Sequence, residues 1–118
     1  MDSQLLDLEQ LEPFIEIGLE DFLEIYNDVI TEVPQALDTI RDAIASADAA
    51  TFKARCHSLR GMVANFGCKA LANGIAFHEK QPTLPDPSQA DAIHSSLLSL
   101  WHQSHAAITT WQKQIPPA

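Results

Sequence analysis

LEDFLEIYNDVITEVPQALDTIRDAIAS, residues 19–46, is the longest helical pattern in the chain, and its reading decides the fold. Phe22, Tyr26, Val29, Val33, Leu37, Ile40 and Ile44 recur at steps of three and four. Such spacing lays one apolar stripe along a helix. Glu20, Asp21 and Glu24 fall in its first turns, where the helix dipole favours carboxylates. Pro34 removes one backbone hydrogen bond and predicts a kink. The stripe stays in phase across the proline, so one bent helix is expected rather than two.

The same period extends in both directions. Asp48 caps a predicted helix over 49–66, whose apolar positions Phe52, Cys56, Leu59, Val63 and Phe66 follow a 4-3-4-3 spacing. Gly67 supplies the left-handed residue that ends it. A shorter helix over 69–80 should bury Leu71, Ile75 and the ring of His78. Gln81 to Pro85 is the clear loop. Asp86-Pro87-Ser88-Gln89 then reads as an N-cap, a first-turn proline and a capping-box glutamine. The last helix, 87–114, should bury Ile93, Leu97, Leu100, Trp101, Ile108 and Trp111, with Pro116-Pro117 ending it. Towards the N-terminus a short helix is expected over 8–17, broken by Gly18. Strand alternation and hairpin turns are missing. The expected fold is all-α: an antiparallel up-down-up-down four-helix bundle with an additional short N-terminal helix.

The bulk properties narrow the function. At 118 residues and 13.0 kDa the chain fits one domain over 1–118. A net charge of −9 and a pI near 4.7 argue against nucleic acid, which needs a basic footprint. No apolar run approaches the roughly 18 residues of a membrane span. Met1-Asp2-Ser3-Gln4 lacks the order of a signal peptide, so a cytoplasmic protein is expected. Met1 and the proline tail lean towards a free-standing protein. Cys56 and Cys68, twelve apart, have neither a zinc nor a redox spacing, and read as two reduced thiols with Cys56 in the core.

Charge is distributed unevenly. Thirteen of the sixteen acidic residues precede position 49, and residues 49–78 contain none, yet hold Lys53, Arg55, Arg60 and Lys69. A basic patch on an acidic protein suits docking to an acidic partner. His57 stands in this region. On the helical wheel it shares a face with Lys53, Ala54, Arg60, Gly61 and Ala64, opposite the Phe52–Phe66 stripe. A glycine inside a helix costs about 1 kcal/mol relative to alanine. Close approach of another molecule would explain that cost at Gly61, one turn from His57. An exposed, neutral imidazole is a nucleophile towards phosphorus, and Arg60 can stabilise the resulting anion.

His57-Ser58-Leu59-Arg60-Gly61-Met62-Val63-Ala64-Asn65-Phe66-Gly67 resembles the phosphoacceptor signature of histidine-containing phosphotransfer (HPt) domains of two-component phosphorelays. The pattern is a histidine, two residues, a basic residue, a glycine, and a second glycine six later. The resemblance extends to the acidic helix with its mid-helix proline and to Leu71-Ala72 opening the following helix. It implies that His57 is phosphorylated, on Nε2, that Arg60 stands where lysine is usual, and that Gly61 keeps access open. It further implies a phosphocarrier without kinase activity of its own, holding no cofactor, with Mg²⁺ brought by the partner. The implied partners are receiver domains of response regulators and a hybrid histidine kinase, met by a monomer. Lys53, Ala54, Arg60, Gly61 and Ala64 are expected in the docking surface, joined by apolar residues of the N-terminal or second helix, Phe14 first among them. Leu11, Phe14 and Ile15 are open to two roles, docking or covering the end of the bundle.

Two other classes compete. A metal-binding bundle would draw on His78, His94, His102 and His105, but no Glu-x-x-His pair exists to build a di-iron site, and exposed polar-face positions account for His102 and His105. A receiver-binding module of the same fold that no longer transfers is the other alternative.

Overall fold

The computed structural model describes residues 2–117; Met1 and Ala118, where the expected domain begins and ends, lie outside the described residues. The chain builds α1 (Asp2–Leu5), α2 (Leu8–Leu11), α3 (Pro13–Ile17), α4 (Leu19–Ala45), α5 (Ala49–Asn65), α6 (Lys69–Glu79) and α7 (Ala90–Trp111). Single 3-10 turns flank α7 at Pro87–Gln89 and Gln112–Gln114. Among the described residues there is no strand. The four long helices close a ring: α4 packs on α5 and α7, and α6 packs on the same two. At 1.5 Å per residue the 27-residue α4 is about 40 Å long, which accounts for most of the 47 Å long axis.

Helix α4 runs unbroken through Pro34 and buries every residue of the stripe read from its sequence, with Ala43 added. Its end is a Schellman closure made without glycine. Ala47 takes φ +56°, and Asp48 N–H donates to Ala43 O at 2.8 Å. Asp48 then caps α5, its carboxylate accepting from Thr51 N–H at 3.1 Å. Phe52, Cys56, Leu59 and Val63 line the buried side of α5. A second Schellman closure ends that helix, with Gly67 at φ +69° and Cys68 N–H donating to Val63 O at 2.9 Å. The bundle's core is aromatic at one end. Phe22 stacks on Tyr26 with centroids 5.3 Å apart and meets Trp111 edge-on at 5.7 Å.

Several expectations need correction. The N-terminal segment is three short helices rather than one over 8–17. Asp7 caps α2 by accepting from Glu9 N–H, and Pro13 opens α3, at a first-turn position where its missing N–H costs no helical hydrogen bond. Leu11 is fully buried, so it covers the bundle and cannot dock a partner. Leu100 and His78 are half-buried rather than buried. Leu100 lies against Gly74, the α6 residue whose missing side chain lets α7 approach. His105 does not sit on an exposed polar face: its Nδ1 is 2.8 Å from the Tyr26 hydroxyl, and its ring stacks on Trp101. Burial pushes the Tyr26 phenol up, so the hydroxyl stays protonated. The cap at Asp86 closes on Ser88, accepting from both its N–H and its hydroxyl. Both cysteines are buried free thiols, and burial pushes each thiol up to about 12.

Candidate functional site

His57 occupies the middle of α5, two turns beyond the Asp48 cap, on the side away from Phe52, Cys56, Leu59 and Val63. Its side chain is 75% exposed. The backbone beneath is rigid helix, and Gly61 follows one turn later with open space around the position a Cβ would take. Among the described residues nothing packs against that position, so the fold itself gives no reason for the helix-propensity cost of a glycine there.

Arg60 and Glu79 hold one edge of the imidazole. Glu79, the last residue of α6, places its carboxylate in the seam with α5, where only 15% of the side chain is accessible. Arg60 Nε donates to Glu79 Oε1 at 2.7 Å, and Nη2 donates to Oε2 at 3.4 Å. His57 Nδ1 lies 3.1 Å from Arg60 Nη2 and 3.4 Å from Glu79 Oε2. These two neighbours make opposite demands on a neutral ring. Arg60 can only donate, so a bond from Nη2 requires a bare Nδ1 and puts the proton on Nε2. Glu79 accepts, so a bond to Oε2 requires Nδ1–H and leaves the Nε2 lone pair free. Among the described residues the ring's polar contacts all run through Nδ1. Hydrogen bonds from Arg60 hold the Glu79 carboxyl below the usual carboxylate range, partly opposed by burial. The same pairing raises Arg60 further.

A family model, Hpt domain, matches residues 24–108, from the first turns of α4 through most of α7. The chain belongs to the Hpt domain family. Hpt domains serve phosphotransfer in two-component systems, where they interact with receiver domains and kinases. No curated protein and no solved structure matches the chain.

Within this Hpt domain the other expected site residues fall in different places. Ala54, Gly61 and Ala64 are exposed on the His57 face. Lys53 is also exposed, but its ammonium donates to Glu79 O at 2.8 Å and to Gln81 O at 3.4 Å. It thus satisfies carbonyls at the C-terminal end of α6, where a cation suits the helix dipole. Phe14 and Ile15 are half-buried. The Phe14 ring stacks on Phe66 at 5.1 Å and meets Phe22 edge-on at 5.3 Å. Among the described residues no three of His, Cys, Asp and Glu converge as a metal would need, and no helix is long and apolar enough to cross a membrane.

Glu79 is the residue that the sequence reading passed over. A signal for it existed. It is the first acid after the acid-free stretch, and at i+4 from Ile75 and i+7 from Ala72 it continues the buried stripe of α6. A carboxylate on that stripe needs a donor in a neighbouring helix, and Arg60 is that donor.

Proposed function

We propose that His57 is the phosphoacceptor of this Hpt domain, taking a phosphoryl group on Nε2 from a receiver phosphoaspartate and passing it to another receiver's aspartate. The observation that carries this is the state of the ring: exposed on a rigid helix, held at Nδ1, and open at Nε2. The nucleophilic tautomer is the one in which Nδ1 keeps its proton and donates it in a hydrogen bond to Glu79. The Ala54–Gly61–Ala64 face admits the receiver's active site to within bonding distance, and Gly61 removes bulk at the closest point.

The chain acts as a monomeric carrier and not as a kinase. The receiver supplies the Mg²⁺ and the in-line arrangement that phosphoryl transfer needs. Incubation with a receiver domain phosphorylated by labelled acetyl phosphate tests the assignment. Label should appear on the protein as an acid-labile, base-stable adduct and be absent from His57→Gln. Equal labelling of His57→Gln would remove His57 from the reaction. Binding without label would make the chain a docking module only.

A further inference from the structure

We propose that Glu79 sets how strongly this domain holds its phosphoryl group, making the chain a ready donor rather than a store. The proposal rests on His57 being the phosphoacceptor. Arg60 is the cation one turn from His57, and in isolation it would lower the energy of the phosphorylated state. In the structure its charge is already matched by Glu79, at 2.7 Å through Nε. The group that arrives on Nε2 carries close to two negative charges. It meets a neutral pair whose carboxylate lies 3.4 Å from the same ring.

The carboxylate acts a second time through the proton on Nδ1. In loading, the Nε2 lone pair forms the N–P bond while the aspartyl O–P bond breaks, and that electron pair leaves with the receiver's carboxylate. The Nδ1 proton stays, held against Glu79. The phosphorylated ring is therefore kept in its cationic form. In unloading, the acceptor aspartate forms the O–P bond, the N–P pair returns to Nε2, and a neutral imidazole departs. A cationic ring is the better leaving group, and repulsion between Glu79 and the phosphoryl group works in the same direction. Lys53 bonds the backbone oxygen of Glu79 and braces the end of α6, so the carboxylate does not swing away freely.

Substitutions separate the charge from the hydrogen bond. Glu79→Gln keeps an oxygen acceptor for Nδ1–H and removes the charge. Glu79→Ala removes both. With a receiver domain labelled by acetyl phosphate, three quantities are read on the full chain: loading rate, the equilibrium ratio of phosphohistidine to phosphoaspartate, and the lifetime of the isolated phosphohistidine. Glu79→Gln should shift the equilibrium towards phosphohistidine by about threefold to tenfold, the size expected for one charge acting on a dianion in screened surroundings. Its phosphohistidine lifetime should lengthen, and its rate of phosphoryl transfer back to a receiver should fall by more than its loading rate. Glu79→Ala should load more slowly. Arg60→Gln, which leaves the carboxylate uncompensated, should move the equilibrium in the opposite direction and serves if Glu79→Gln does not fold. An unchanged equilibrium in folded Glu79→Gln, with the parent labelled normally, overturns this proposal alone. Failure of the parent to take label at all overturns it together with the reading of His57.

Discussion

Arg60 Nε donates to Glu79 Oε1 at 2.7 Å across the seam between α5 and α6, so the helix that carries the candidate phosphoacceptor is tied at its centre to the end of the next. Because this bond depresses the Glu79 carboxyl, its contribution to stability has a defined pH window. It is present in full above the ordinary carboxylate pKa and is lost as pH falls through the lower, folded-state value. Melting temperatures of the parent and Glu79→Gln should therefore converge as pH falls from 7 to about 3. A gap that stays constant would show that the carboxylate charge contributes nothing to folding.

Gly61 separates function from stability. With nothing near its missing Cβ, Gly61→Ala gains helix propensity worth up to about 1 kcal/mol and should raise the melting temperature. The same methyl stands on the face a receiver must approach, so the labelling rate should fall. A variant both more stable and equally fast would remove access as the reason for the glycine.

Gly67 behaves in the opposite way. A Cβ there would lie 2.6 Å from Asp7 O, where Asp7 N–H donates to Gly67 O at 2.7 Å, and φ is +69°. The left-handed conformation alone costs a side chain about 1–2 kcal/mol. Gly67→Ala should destabilise the fold by about 2 kcal/mol or more, read by urea unfolding. A smaller loss would mean that the N-terminal segment docks loosely.

Phe14 distinguishes a docking residue from a cover. Its ring stacks on Phe66 and meets Phe22, so Phe14→Ala should lower stability by about 1–3 kcal/mol. Receiver affinity, titrated with the folded variant, should change little. Weakened binding at unchanged melting temperature would instead place Phe14 in the interface.

The four long helices were legible because each carries a regular apolar stripe and a chemical stop signal: Asp48, Gly67 and the proline-rich segment before α7. His57 and its open face were legible for the same reason, since phase within one helix decides exposure. Contacts between helices were not. Glu79 lies nineteen residues after Arg60, and nothing local to either shows that α6 brings them together. Lys53 read as a surface cation, but the end of α6 arrives beside it and engages its ammonium. His105 read as a polar-face residue because its own helix puts it beside the stripe; the Tyr26 hydroxyl, on another helix, draws it inward. The N-terminal segment misled for a local reason: Pro13 opens a new helix within the periodic pattern over 8–17 and divides it into α2 and α3.

The position of the phosphoryl group tests the account most directly. Nitrogen-15-labelled protein, charged by a phosphorylated receiver and followed by NMR through nitrogen–phosphorus coupling, reports which imidazole nitrogen carries it. The account predicts coupling at Nε2 of His57, with Nδ1 protonated. Coupling at Nδ1 of His57, or at any of the other four histidines, would contradict it.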